Sequence, residues 1–453
     1  LDYNRKGGVR LYLYDEVLTP QIITRIIQTF ESKEKPKLTQ YYNYYKGTQA
    51  IMNKQATDVG KPCNKIVCNY CFNIVQNYSG YLSGIPIAYA SPIDISEIIK
   101  VLNYNDYKSE DTELLRQALI FGRAFEVAYI DELSQIRFKL FDSRECIPVY
   151  DTTLDENLRY VIRYYKINMY NDKDEYFVEV YSDEKIDLYK TQAGYSTLTL
   201  ISSEPNYFNQ VPITIFSLNR EEESIFDKVM TLQDAYNKLI SSEVDDFEAF
   251  CDSYLVLRNC YAEPEDIQKM KENRVLLLGE NADAQYLTKT ISDTQIENML
   301  ANINDTIHKI ANSPDFNDEK LMAQSGIAMR YKLVGFENNA SAIEGQMKKA
   351  LQKRIELICE ILHLTGADED WRDIDIIFTR NLPVNVLEIS QIINQLRGIV
   401  SDETLLAQIP FVNDVAAEYE KVKAQKEENI SIYSFAHENT EDEAPADPEE
   451  ADE

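Results

Sequence analysis

From Ser224 to Phe250 apolar residues recur every three or four positions: Ile225, Val229, Leu232, Tyr236, Leu239, Ile240, Val244, Phe247 and Phe250. At 3.6 residues per turn they share one stripe of a helix of about seven turns, too long a stripe to leave in water. The pattern then breaks into strand-like pieces, Tyr254–Arg258, Arg274–Leu278 and Gln285–Leu287. It resumes as a second helix with Ile296, Met299, Leu300, Ile303, Ile307 and Ile310 on one face. Two helices flanking a β insertion are expected to pair antiparallel around it. A polar loop, Asn312–Glu319, leads into a helical stretch from Met322 to about His363. Gly335 in its interior predicts a kink or break, since Gly costs about 1 kcal/mol relative to Ala in a helix.

The N-terminal part reads as short helices followed by hairpins. Pro20–Phe30 places Ile22, Ile23, Ile26, Ile27 and Phe30 at helical spacing, with Pro20 in the first turn, where its missing N–H is harmless. An aromatic run follows, Tyr41-Tyr42-Asn43-Tyr44-Tyr45-Lys46-Gly47. Asn69 to Pro86 then reads N-Y-C-F-N-I-V-Q-N-Y-S-G-Y-L-S-G-I-P, a tyrosine-rich helix through Tyr70, Ile74, Tyr78, Tyr81 and Leu82 that Gly84 and Pro86 stop. Helical spacing returns at Ile93–Val101 and Glu110–Phe121. After Gly122 the pieces Ala124–Ile130, Ile136–Phe141, Arg159–Lys166, Tyr176–Tyr181, Lys185–Tyr189 and Thr197–Ser202 are short, β-branched or aromatic, and separated by turn residues. That is an antiparallel region of hairpins, ending near Val211-Pro212-Ile213. Toward the C-terminus a strand at Ile374–Thr379 precedes helices near Glu388–Val400 and Val412–Lys426. The fold class is therefore α+β, in more than one domain for 453 residues.

Charge narrows the function. With 46 Lys and Arg against 76 Asp and Glu, the net charge is −30. Tight general DNA binding needs basic groups to displace phosphate counterions, so it is excluded for the surface as a whole. Passage of DNA past a mostly repulsive wall is compatible with it. The tilt toward tyrosine, 31 Tyr against one Trp, suits half-buried surfaces where subunits meet. There is no apolar run of about 18 residues, so no membrane helix is expected. The opening Leu-Asp-Tyr-Asn-Arg-Lys lacks a secretory core and an initiator Met, as in a trimmed or partial N-terminus. Seven scattered cysteines point to a reducing compartment rather than a disulfide framework. From about Glu438 the chain is acidic and too poor in apolar residues to order itself.

The motifs of catalysis are absent. There is no G-x-x-x-x-G-K-S/T phosphate cradle (Gly60-Lys61-Pro62 is the nearest fragment), no G-x-G-x-x-G and no G-x-S-x-G. His308, His363 and His437 are isolated, without H-E-x-x-H. Cys63, Cys68 and Cys71 include one C-x-x-C, yet no second pair follows at zinc-finger spacing, so buried small hydrophobes are the plainer reading. Acidic pairs such as Asp245-Asp246 read as solvated faces. Neither a metal, a cofactor nor an enzymatic activity is expected. One local departure from the acidic average is Lys348, Lys349, Lys353 and Arg354 on the long helix, a candidate contact to DNA or to another subunit. Pairing with Glu344 and Glu356 is its plainer alternative.

The two tyrosine-rich stretches resemble the N-terminal block of portal proteins of tailed phages, the family typical of siphophages of Gram-positive bacteria. The likeness continues in Gly122-Arg123-Ala124-Phe125-Glu126-Val127-Ala128-Tyr129 with Phe141-Asp142-Ser143-Arg144-Glu145, similar to the first wing hairpin. Val211-Pro212-Ile213 with Leu232-Gln233-Asp234-Ala235-Tyr236-Asn237-Lys238-Leu239 and Ser242 resembles the entry to the stem helix. Asn312-Ser313-Pro314-Asp315-Phe316 with Ser325-Gly326-Ile327-Ala328 resembles the tunnel loop. The blocks keep their order from about residue 40 to 365.

The resemblance implies a portal-type fold: wing 1–223, stem helices 224–250 and 291–311, clip 251–290, tunnel loop 312–328, long kinked helix and return to the wing 329–379, helical crown 380–430, and an acidic tail 431–453. It implies a ring, usually of twelve subunits, at one capsid vertex of the virion, assembled in the host cytoplasm. Its partners would be the terminase large subunit, a head-completion or adaptor protein, the major capsid protein and scaffold, and double-stranded DNA passing non-specifically. On this reading the channel loop is carried by Asn312, Ser313, Pro314, Asp315, Phe316, Asn317, Lys320 and Gln324. The clip contact to an adaptor is carried by Arg274, Leu276, Leu278 and Tyr286. The rival expectations are a monomeric head–tail adaptor or scaffold without a channel, and a metal-dependent nuclease, for which no ligand cluster is found.

Overall fold

The computed structural model describes residues 2–425 apart from 7–8, 57–60, 169–173, 252–253, most of 260–280, 288–292, 317–325, 365–369, 382–385, 410–411 and 413–414. They divide into two compact units, residues 1–381 and 382–453.

The first unit opens with a hairpin of β1 (Asp2–Lys6) and β2 (Val9–Leu13). Helix α1 (Pro20–Lys33) buries Ile23, Ile26, Ile27 and Phe30, the stripe its spacing predicts. It runs three residues beyond Phe30. Helix α2 (Lys35–Lys46) ends at Gly47, whose φ of 85° is the left-handed cap. Helix α3 (Tyr70–Ser83) starts at Asn69, whose side chain accepts the Phe72 N–H, and stops where Gly84 and Pro86 predict. After β3 (Ala88–Ala90) come α4 (Ser96–Tyr104) and α5 (Tyr107–Phe121). The helix expected over Ile93–Val101 thus begins and ends three residues later. At the end of α5, Gly122 has a φ of 82°, and a Cβ there would sit 2.2 Å from the Glu222 carbonyl oxygen. Only glycine fits that crossing.

The hairpin region is β4 (Arg123–Ile130), β5 (Ile136–Phe141), β6 (Cys146–Tyr150), β7 (Leu158–Asn168), β8 (Asp174–Tyr181), β9 (Lys185–Thr191), β10 (Thr199–Pro205) and β11 (Ile213–Ser217). They form a seven-stranded sheet, β1-β2-β6-β7-β8-β9-β10, and a three-stranded sheet, β11-β4-β5. Phe125, Val127, Phe141, Cys146, Val161, Tyr181, Val211 and Ile213 make one buried cluster across both. β6 was missing from the sequence reading because Pro148 sits in its centre, and Pro ordinarily argues against a paired strand.

The long apolar stripe becomes α6, but only from Met230 to Cys251. Ser224 and Ile225 are held instead by the end of α5, both donating to the Leu119 carbonyl at 3.1 and 3.0 Å. A single 3-10 turn, Asp227–Val229, then leads into the helix. β12 (Tyr254–Arg258) pairs antiparallel with β13 (Asp283–Leu287), placing Tyr286 opposite Leu255. Arg274, Leu276 and Leu278 lie outside the described residues. Helix α7 (Asp293–Ile310) packs on α6. Helix α8 (Gly326–Leu364) is 39 residues long and is not broken at Gly335. That glycine serves a neighbour: an added Cβ would lie 3.0 Å from the Asn312 amide oxygen. β14 (Asp375–Ile377) closes the unit by pairing with β3.

The second unit contains α9 (Val386–Leu396), α10 (Asp402–Leu406) and a helical segment at 415–425. Ser401 caps α10 by accepting the Thr404 N–H, and Leu405 is buried.

Candidate functional site

Both tyrosine-rich stretches converge on α6 and on the segment that follows α7. In the run Tyr41–Tyr45 each ring has a separate partner. Tyr41 and Tyr44, three apart on α2, donate their hydroxyls to Asp227 at 2.5 Å and Asp234 at 2.7 Å. Burial, and then these carboxylate acceptors, push both phenols up, so each stays a donor. Tyr42 stacks on Phe121 at 6.1 Å and Tyr45 tilts against Phe72 at 5.5 Å.

Residues 64–70 continue this grip as a polar ladder. Asn64 donates to Asp245 from its backbone N–H, 2.7 Å, and its amide, 2.9 Å. The Ile66 N–H donates to Ser241 at 3.0 Å, and the Cys68 N–H to Asn237 at 2.9 Å. The Tyr70 N–H donates to Gln233 at 2.9 Å, and the Gln233 amide returns a bond to the Cys68 carbonyl at 2.5 Å. Every second residue of the chain meets every fourth residue of the helix. Gln49 joins below, accepting from Asn237. Gln233, Asn237 and Ser241 are fully buried, so the ladder satisfies backbone groups that water cannot reach. Replacing Gln233 by Met keeps the volume but strands the Tyr70 N–H and the Cys68 carbonyl. We expect a loss of about 2 kcal/mol, read as a lower urea midpoint at unchanged slope.

The sequence carries a signal for this ladder: four hydrogen-bonding side chains, Gln233, Asn237, Ser241 and Asp245, four residues apart where a core-facing stripe should be apolar. Leu232, Tyr236 and Leu239 mask it, because they complete an apolar face of their own.

Helix α3 grips the next element. The Tyr78 hydroxyl donates to the carbonyls of Ala311, 3.0 Å, and Asn312, 3.3 Å, and accepts from Asn339 of α8 at 3.2 Å. The Asn77 amide donates to the Ser313 hydroxyl, 2.9 Å, and to the Pro314 carbonyl, 3.3 Å. Asn312, with φ 47°, takes the left-handed turn that ends α7, and the Ser313 N–H closes back on the His308 carbonyl at 3.2 Å. The Phe336 ring lies 4.5 Å from Tyr78, 4.7 Å from Tyr81 and 6.1 Å from Phe316. Thus 311–316 is a fixed foot. Clefts of about 710 and 570 Å³ border it, and His308, Pro314 and Asp315 line both.

Of the expected channel-loop residues, the structure brings Asn312, Pro314, Asp315 and Phe316 together on this foot. Ser313 is wholly buried, its hydroxyl engaged by Asn77, so its side chain offers nothing to DNA. Asn317, Lys320 and Gln324 lie outside the described residues. The basic cluster also divides. Lys349 is exposed, Lys348 pairs with Glu344 at 2.8 Å, and Lys353 pairs with Glu356 at 3.0 Å. Arg354 is no surface contact: it is 1 % exposed, between Asp111 and Glu126. Its spacing on α8 turns it to the core side.

Two carboxylates, Asp245 on the ladder and Glu337 on α8, are held below their usual range. Burial pushes Asp245 up, but bonds from Lys54 and Asn64 outweigh it. Burial likewise opposes Glu337, which Arg380, Tyr81 and Ser341 lower. A lowered folded pKa contributes stability above the unfolded value that is lost as pH falls through the folded one. Protection factors in α3 and 64–70, with exchange taken relative to the intrinsic rate at each pH, should therefore fall below about pH 4, and Glu337→Gln should flatten that dependence in α3.

Burial raises the Cys71 thiol to about 12, which leaves it unreactive. Among the described residues no cluster of His, Cys, Asp or Glu could hold a metal ion, and no helix is long and apolar enough to cross a membrane.

Residues 25–431 match the family described as phage portal protein, SPP1 Gp6-like. The chain is 22 % identical over 440 residues to the portal protein of Clostridium phage phiCD119, covering 89 % of this chain and 96 % of that one. It is 24 % identical over 371 residues to the portal protein of Bacillus phage SPP1, covering 78 % and 74 %.

Proposed function

This chain belongs to the phage portal protein family, SPP1 Gp6-like, and from that premise we propose that it forms the ring through which the genome enters and leaves the capsid. The family is structural rather than enzymatic, and its members are oligomeric components of the virion capsid. The finer reading is a ring of about twelve subunits with a central channel. Its loop, 312–328, would narrow the channel around DNA. The ring would dock the terminase large subunit during filling, and its clip, 251–290, would bind head-completion proteins afterwards. The wing (1–223), stem (224–250 and 291–311), long helix with its return to the wing (329–379) and crown (380–430) would surround it, with the acidic 431–453 segment trailing.

The observation that carries this reading is the fixed foot at 311–316. A loop that meets moving DNA needs an anchor that does not yield, and Tyr78, Asn77 and Phe336 supply one. The net charge of −30 supports a wall to which phosphates do not adhere. Lys349, exposed on α8, is the remaining candidate from the basic cluster for a phosphate or subunit contact.

Native mass spectrometry with negative-stain imaging of the same sample tests the proposal. A closed ring of about a dozen chains with a central hole is the expected result. A monomer at high concentration would overturn it in favour of an adaptor or scaffold without a channel.

A further inference from the structure

Two apolar stripes in the first unit are left exposed among the described residues. On α7, Met299 is 54 % and Ile310 48 % exposed, with half-buried Ile303 between them. At about 100° per residue the three share a stripe about 40° wide and about 16 Å long. It faces away from Asn304, Asp305, His308 and Lys309, which line the cleft toward α8. On α8, Tyr331 is 77 % and Val334 50 % exposed. They continue along one stripe through Asn338 to Gly345, roughly opposite the buried face of Leu333, Phe336, Ala340, Ile343 and Met347.

Gly345 supplies an independent observation. A glycine inside an exposed helix is destabilising relative to Ala, so it needs a reason. Gly335 has one, its close neighbour Asn312. At Gly345 an added Cβ would meet nothing within 4 Å, so no neighbour among the described residues requires it. A helix from another molecule, approaching closely at that point, would.

We propose that the outer stripe of α7 in one copy packs onto the back stripe of α8 in the next, with Tyr331 and Val334 covering Met299 and Ile310 and with Gly345 allowing the close approach. The two surfaces differ and face outward on opposite sides of the cleft. The contact is therefore heterologous, the kind that repeats head to tail and closes as a ring. The occupant is a second copy of this chain. The assignment rests on the ring reading above and names the surfaces that would build the ring.

Three variants test it: Tyr331→Asp with Val334→Asp, Met299→Asp with Ile310→Asp, and Gly345→Arg. All alter exposed positions, so each should unfold thermally like the wild type by circular dichroism. Each alone should raise the concentration needed for rings about 30-fold or more in native mass spectrometry. The decisive arm mixes the α7 variant with the α8 double variant. Each then carries one intact stripe, so the mixture should form one-to-one dimers and stop. Wild-type rings with variants that assemble equally well, or a mixture without dimers, would overturn this contact while leaving the ring intact. A wild-type monomer would overturn the ring reading itself.

Discussion

Replacing Arg354 by Met should cost about 3–5 kcal/mol in unfolding free energy. The guanidinium donates to Asp111 at 2.5 Å and bidentately to Glu126 at 2.7 and 2.8 Å, tying α8 to α5 and β4. All three groups are almost fully buried, and Phe138 lies 5.5 Å from the guanidinium carbon. Methionine fills much of the space but leaves two buried carboxylates without a cation. Burial already pushes Asp111 up against the opposing pull of Arg354, so without that cation Asp111 would take a proton to stay inside. Adding Asp111→Asn and Glu126→Gln to the Met variant should recover part of the loss, because the stranded charges are its main cause. Lys349→Ala, on the exposed side of the same helix, should stay within about 0.5 kcal/mol of the wild type. Urea titrations of the four proteins decide this, and an Arg354 variant as stable as the Lys349 one would show that the buried triad contributes nothing.

The second large effect is expected at Phe336. It is 1 % exposed and its ring contacts Tyr78, Tyr81 and Phe316, so Phe336→Ala leaves a cavity where α3, α8 and the foot meet. The expected cost is about 3–5 kcal/mol. Its location matters more than its size. Amide exchange should rise in 311–316 and α3, while the sheet cluster around Phe125 and Val161 keeps its protection. Uniform loss of protection would mean that the foot is not a separable element. Tyr78→Phe is the finer companion, removing the hydroxyl and its three bonds while keeping the ring, for about 1–2 kcal/mol.

What the sequence made legible follows from what each element depends on. Helix α1 was readable because its buried face, Ile23, Ile26, Ile27 and Phe30, is purely apolar, and period alone reveals that. Strand β6 was hidden by Pro148. The start of α6 lies six residues later than the period implies because Ile225 and Val229 fit the helical period, while the Ile225 N–H is taken by the Leu119 carbonyl of α5 and Val229 sits in a 3-10 turn. Periodicity sees side chains and not the carbonyl that claims an N–H. Gly335 misled for a related reason: its propensity cost was readable, the neighbouring Asn312 was not. Arg354 was read with three surface lysines because charge is visible in sequence, whereas Asp111 and Glu126 are more than two hundred residues away. The polar face of α6 needed knowledge of residues 64–70 lying beside it.

The ladder between that segment and α6 works as a vernier. Four residues of helix advance about 6.0 Å, and two residues of chain reach about 6.6 Å when fully extended. Over the three intervals from Gln233 to Asp245 a fully extended chain would outrun the helix by about 2 Å, and the tight turn in which the Tyr70 N–H also meets the Cys68 carbonyl at 3.0 Å takes up length. The last rung carries more bonds than the others: beside the Asn64 backbone N–H to Asp245, the Asn64 amide reaches Asp245 and Glu248 and Lys54 reaches Asp245. A fifth rung would fall out of phase. The same mismatch allows only one alignment of helix and segment, since a slip by a turn cannot bring all four graduations back into coincidence.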